Sequence, residues 1–231
     1  MLIELHTEVL IPDDPLKEAA TSIVLFTYTL AVIYSTKLLY DTLRSKGVSH
    51  DSAVYFNRKI IHVLAGGVIA LILPTLFTSP TLPSILAAAL SVVTWVPHRR
   101  GRLMYWFQVR ENMHEVSFCL MWGMAVLLAW LFLGSPIYAQ VPVLFMSFGD
   151  AATGLTRNFL FKRRTKSWWG NIAMFAVCAP IAYWLVGPLG IPLAGAASII
   201  EHFELNPVDD NILISLTSLA GTVLVTSLTP A

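Results

Sequence analysis

The residues best suited to chemistry lie between Ser147 and Phe175. Phe148-Gly149-Asp150-Ala151 closes an apolar run, and a basic stretch follows: Arg157, Lys162, Arg163, Arg164 and Lys166, then Ser167, Gly170 and a second apolar run. A carboxylate at membrane depth is costly and marks a functional site. With the helix that carries it ending near Arg157, Asp150 lies about two turns inside, ~10 Å at 1.5 Å per residue. There it needs a partner to offset desolvation. Beside a cationic loop, that points to a metal ion on the carboxylate and phosphates on the basic side chains.

Three further polar groups accompany it. Asn57, Arg58, Lys59 and His62 form one, with His62 at i+3 and i+4 from the two cations and so on one helical face. Arg110, Glu111, His114 and Glu115 form another. Glu201, Glu204, Asp209, Asp210 and Asn211 form the last. Each has a plainer account. Arg58 and Lys59 suit headgroup-snorkelling anchors, Trp168 and Trp169 an interfacial aromatic belt, and Asp209 a helix N-cap. Asp150 and Glu201 are harder to explain that way, since each ends an apolar run.

The elements that position these groups are membrane helices. The chain has 231 residues, of which 56% are hydrophobic and 13% charged, with a mean hydropathy of +0.68. That composition predicts an all-α polytopic transmembrane helical bundle in a single domain, with no large soluble domain and a lipid bilayer as its surroundings. Eight membrane segments are expected, at roughly 19–40, 58–76, 81–97, 114–133, 137–156, 171–187, 190–203 and 211–228. The seventh is short enough for a half-helix. The acidic residues 1–18 lack the basic start and small-residue site of a cleaved signal, so none is expected. Cys119 and Cys178 sit in apolar runs and read as packed hydrophobes. The net charge of +1 is uninformative about partners, and no nucleic-acid partner is expected. No internal repeat is evident.

Basic residues alternate between loops. Arg44, Lys46, Arg58 and Lys59, then Arg99, Arg100, Arg102 and Arg110, then the stretch after Asp150, fall in every second connection. The intervening loops, at 77–80, 134–136 and 187–192, carry no charge. The positive-inside rule then puts the basic loops in the cytoplasm and both termini outside. All four polar groups fall on that cytoplasmic face, and carboxylates converging with cations suit a polyanion with a divalent metal.

Arg58-Lys59-Ile60-Ile61-His62, Phe148-Gly149-Asp150-Ala151, Lys166-Ser167 with Gly170, Glu201, and Asp210-Asn211, in that order, resemble the CTP-dependent polyprenol kinase family. That family includes dolichol, phytol and diacylglycerol kinases. The resemblance covers about residues 57–215 and implies transfer of the γ-phosphoryl group of CTP, with Mg²⁺, to the hydroxyl of a membrane isoprenoid alcohol. It implies a metal on Asp150, and Asp210 and Glu201 are candidates for a second metal. Lys166, Ser167, Gly170 and Asn211 would meet the nucleotide, and Arg58, Lys59 and His62 would form the basic motif. Arg157 stands where relatives usually have glycine, which replaces a backbone cradle with side-chain contacts from Arg157 and Asn158. Glu201, Asp210 and Glu115 remain alternatives for the group that positions the alcohol or takes its proton. Other readings are a CTP-dependent lipid-phosphate cytidylyltransferase and, in another class, a transporter of an anionic solute.

Overall fold

Asp14 accepts a hydrogen bond from the Lys17 N–H and Pro15 takes the first helical position, so α1 (Pro15–Ser45) starts at a cap that both residues favour. It ends before Gly47, whose φ of 82° suits glycine. The computed structural model describes residues 5–161, 165–203 and 208–228, so Lys162, Arg163, Arg164 and Glu204 lie outside the described residues. The other helices are α2 (His50–Ile61), α3 (Val68–Leu76), α4 (Thr81–Arg100), α5 (His114–Leu133), α6 (Pro136–Leu144), α7 (Asp150–Phe161), α8 (Trp168–Val186), α9 (Gly190–Glu201) and α10 (Asp210–Leu228). A π turn at His62–Gly67 joins α2 to α3, and another at Phe145–Gly149 joins α6 to α7.

Among the described residues the protein is all-helical, and six helices are long and apolar enough to cross a membrane. These are Pro15–Ser45, His50–Leu76, Thr81–Arg100, His114–Leu133, Trp168–Val186 and Asp210–Leu228. Leu38, Ile85, Trp184 and Leu224 project from their outer faces, as side chains against lipid would. The second segment begins at His50, ahead of the expected 58. Ser49 caps it by accepting from the Ser52 N–H, and Ala53, Val54 and Asn57 give its polar first turns a buried face. Arg58 and Lys59 therefore lie inside a helix rather than at its start. The fifth extends over 136–161 instead of 137–156, which sets Asp150 near its middle. α9 stops at Glu201 after 12 residues, ~18 Å of helix, too short to cross a ~30 Å hydrocarbon core.

The centre of the bundle is the 136–161 run. Val141, Val143, Leu144, Phe145 and Met146 are buried there against α5, α8 and α10. The two π turns cross at this point. A Cβ on Gly66 would fall 2.6 Å from Phe118 and 2.8 Å from the Ser147 hydroxyl, and one on Gly67 would fall 2.7 Å from Phe148. Only glycines allow that approach. Pro74 cannot donate to the Ala70 carbonyl. Gln140 Nε2 donates to it instead at 2.9 Å, and to the Leu71 carbonyl at 3.0 Å. Trp122 Nε1 donates to the Gly66 carbonyl in the first π turn. Backbone freed from regular helix is thus satisfied by side chains, as membrane depth requires.

Candidate functional site

The π turns aim the polar residues. Each inserts a surplus residue into its helix, a feature frequent at functional sites. His62 begins the first turn and Asp150 follows the second, so the crossing brings α2 and α7 together with these side chains between them. Lys59 Nζ donates to both Asp150 oxygens, at 2.7 and 2.6 Å, and His62 Nδ1 donates to Oδ2 at 3.1 Å. The Lys59 ammonium also lies 5.2 Å from the Tyr55 ring centroid. Gly154 leaves the room for this, since a Cβ there would collide with Tyr55 and Lys59. An ionised carboxylate only accepts, so Nδ1 carries a proton, and with the ring neutral Nε2 is an acceptor. That Nε2 is buried and has no hydrogen-bond partner among the described residues. The expected metal on Asp150 does not fit this arrangement, because an ammonium group already spans both oxygens.

A second network centres on Glu201, 1% exposed. Arg157 grips it in a fork, Nη1 to Oε1 and Nη2 to Oε2, both at 2.8 Å. Asn171 Nδ2 donates to Oε2 at 3.1 Å, and Lys166 Nζ donates to Oε1 at 3.2 Å and to the Glu201 carbonyl at 3.0 Å. Arg157 Nε donates to the Ser167 carbonyl. Gly170 makes room for the guanidinium, which a Cβ would strike. Several expectations change here. Arg157 turns inward to a carboxylate instead of out to a phosphate. Gly170 accommodates that arginine. Ser167 caps α8, accepting from the Trp169 N–H. Glu201 is too fully bonded to act as a base or a metal ligand.

The third group lies at the start of α10. Asp209 Oδ1 caps that helix by accepting from the Ile212 N–H, while Oδ2 accepts from His114 Nδ1 at 3.1 Å and from the Ser117 hydroxyl. Burial pushes the Asp209 carboxyl up, but the hydrogen bonds from His114, Ser117 and the Ile212 N–H outweigh it and hold it below the usual carboxylate range. Asn211 Nδ2 donates to the His114 carbonyl and the Ser117 hydroxyl, which leaves its Oδ1 buried and unpartnered among the described residues. Asp210 Oδ2 lies 3.9 Å from Lys166 Nζ. Ligand atoms of His114, Asp209 and Asp210 lie within 4.8 Å of one another. A divalent cation at this corner would have to share Asp209 with the donors it already holds.

All three groups border one cavity of about 500 Å³, within the range of small-molecule sites. Of the residues expected at the site, Arg58, Lys59, His62, Asp150, Arg157, Asn158, Lys166, Glu201, Asp210 and Asn211 line it. Ser167 and Gly170 stand behind Arg157, outside the lining. Glu115 is also outside. It accepts from His98 at 2.5 Å and from Gln108 at 3.0 Å, and Gln108 is held in turn by Thr94, so the carboxylate ties α4 to α5 rather than serving substrate. Tyr55 and Asn112 line the cavity and Asn171 supports it, all unanticipated. Tyr55 had a signal, four residues before Lys59 and so on the same helical face. Among the described lining residues, Arg58, Lys59, Arg157 and Lys166 are outnumbered by one by the carboxylates Asp51, Glu111, Asp150, Glu201 and Asp210. No protein-family description, curated protein or solved structure matches the chain.

Proposed function

We propose that the protein is an integral membrane lipid kinase of the polyprenol kinase type, transferring the γ-phosphoryl group of CTP to the hydroxyl of a membrane isoprenoid alcohol. The observation that carries this reading is a cavity of mixed charge set among the ends of apolar helices, lined by the motifs whose order resembles that family. A lipid alcohol reaches such a cavity without its chain crossing water, while a nucleotide approaches from the aqueous side. In this reading the run 136–161 is a membrane segment, and α9, too short to cross the hydrocarbon core alone, runs from the far face to a cavity recessed into the bundle, where its Glu201 end completes the eighth passage. Both termini then lie outside and the cavity faces the cytoplasm. Supporting that sidedness, the starts of α2, α5 and α10 and the end of α9 all contribute to one cavity.

Phosphoryl transfer asks the protein for positioning and charge stabilisation. Arg58, half-buried, has only a long 3.4 Å hydrogen bond to Asn112 among the described residues and is the cation readiest to meet phosphate. Lys166 and Asn158 flank the same space. Magnesium, held by Asp209 and Asp210, would supply positive charge that the cavity's cations, outnumbered by its carboxylates, do not. The alcohol oxygen bonds to the γ-phosphorus, the bond from that phosphorus to the β–γ bridging oxygen breaks, and its electron pair leaves with CDP. The hydroxyl proton passes to His62 Nε2, and Asp150 and Lys59 hold the ring in place.

The test uses purified protein in lipid nanodiscs with γ-labelled CTP, Mg²⁺ and a polyprenol. Labelled polyprenyl phosphate and CDP are expected. Release of pyrophosphate would mean cytidylyl transfer instead. No label transfer from any of four nucleoside triphosphates to polyprenol, phytol, geranylgeraniol or diacylglycerol would refute the kinase reading.

A further inference from the structure

A second cavity lies within the apolar depth of the bundle, between α1, α3, α4 and α5, and its lining is almost entirely apolar. Leu25, Ile69, Leu86, Leu90 and Phe118 are among its walls. It is separated from the polar cavity by one aromatic layer. Phe118 borders the apolar groove, His62 borders the polar cavity, and the two rings stack with centroids 3.8 Å apart and planes 17° from parallel. At this wall two buried side chains have polar atoms without a partner among the described residues, His62 Nε2 and Ser147 Oγ. His62 is 4% exposed and Ser147 is fully buried. Gly66 brings the parts together. It lines the groove, and a Cβ on it would press on both Phe118 and the Ser147 hydroxyl.

Leaving a buried donor or acceptor unpaired costs about 1–3 kcal/mol, and both of these atoms adjoin Phe118, His62 through its ring stack and Ser147 through the Gly66 contact. Their chemistry specifies the ligand. Nε2 accepts, and the Ser147 hydroxyl is free to donate. One group that donates and accepts at once satisfies both, and a hydroxyl does so without carrying charge into the bundle. We infer that this junction is a binding site for a lipid with a single free hydroxyl at the end of an apolar chain. The chain lies in the groove along Phe118, and the hydroxyl donates to His62 Nε2 and accepts from Ser147 Oγ. The site deepens the kinase reading and rests on it for the identity of the lipid as acceptor. As a binding site it stands on the groove and the two unpaired atoms alone.

The experiment is photolabelling of the full chain in nanodiscs with a farnesol analogue carrying a diazirine on its chain, followed by peptide mapping. Saturable labelling of the groove walls on α4 and α5 is expected. Unlabelled farnesol should compete at least about tenfold better than farnesyl methyl ether, which accepts but cannot donate. Ser147→Ala removes one hydrogen bond and should weaken farnesol competition about fivefold to tenfold. Leu86→Trp, which fills the groove, should cut labelling by a similar factor and leave nucleotide binding unchanged. Labels scattered over the lipid-facing helices, or equal competition by the ether, overturn the site. Groove labelling in a protein that phosphorylates no alcohol leaves the site standing and refutes the kinase. Phosphorylation with labels confined elsewhere refutes the site and leaves the kinase.

Discussion

The Lys59–Asp150 pair lends itself to a quantitative test. The ammonium nitrogen is 2.6–2.7 Å from both carboxylate oxygens, and both residues are buried, 7% and 2% exposed. At that separation and an effective dielectric of ~20, the attraction is of order 6 kcal/mol. Desolvating the two ions costs several kcal/mol each, so the intact pair contributes little net stability. Removing one partner is different, because the survivor keeps its desolvation penalty and loses the compensation. Lys59→Met should leave Asp150 with His62 alone and destabilise the protein by about 3–5 kcal/mol. Asp150→Leu should strand Lys59 beside the Tyr55 ring at a similar cost. The double substitution removes both charges and should cost less than the sum of the two by about 3 kcal/mol or more. Reversible unfolding in mixed micelles, by far-UV circular dichroism at rising SDS fraction, measures all four corners of the cycle. Additivity within about 0.5 kcal/mol would refute the reasoning, since it would mean the two charges do not meet in the folded protein.

Two other outcomes follow. Gln140→Leu keeps the side-chain bulk but strips the Ala70 carbonyl of the donor that replaces the one lost at Pro74. It should cost about 1–3 kcal/mol in the same unfolding assay, and an unchanged midpoint would mean another group satisfies that carbonyl. Asp210→Asn removes one negative charge from the corner assigned to magnesium. It should weaken Mg²⁺ binding by about tenfold, ~1.4 kcal/mol, read by isothermal calorimetry in the presence of a non-hydrolysable CTP analogue. Unaltered affinity would remove Asp210 from the metal set.

The membrane-helix character of the chain was legible from composition and from the length of its apolar runs, because burial in lipid acts on whole segments. The convergence of the four polar groups was legible too, since alternating basic loops require one face. Pairing within the cavity was not. Which carboxylate a cation takes depends on helix rotation and depth to a fraction of a turn, and several acids lie near each base. Asp150, Gly154 and Arg157 recur at helical spacing and share a face, yet nothing local says that Lys59 takes the first and Glu201 the last. The start of α2 was hidden because His50, Asp51, Ser52 and Asn57 read as loop, and it is the burial of Ala53, Val54 and Asn57 against α1 and the 101–113 connection that makes the segment helical. Asn57, for example, donates to the carbonyls of Thr36 and Trp106. The π turns have no local signature either, since they arise where two glycine-bearing helices press together.

Those two surplus residues act as a phase adjustment. An α-helix advances 100° per residue, so deleting one position from 62–67 and restoring regular helix would turn α2 by about that angle relative to α3. Gly66 and Gly67 could keep their seat on Phe118 and Phe148 only by swinging Lys59 away from Asp150, or the reverse. The polar centre is therefore indexed by residue count. Substitutions in the turns alter its fit locally, whereas a single insertion or deletion in either one uncouples the membrane-buried crossing from the charged cavity, even with every functional side chain still present.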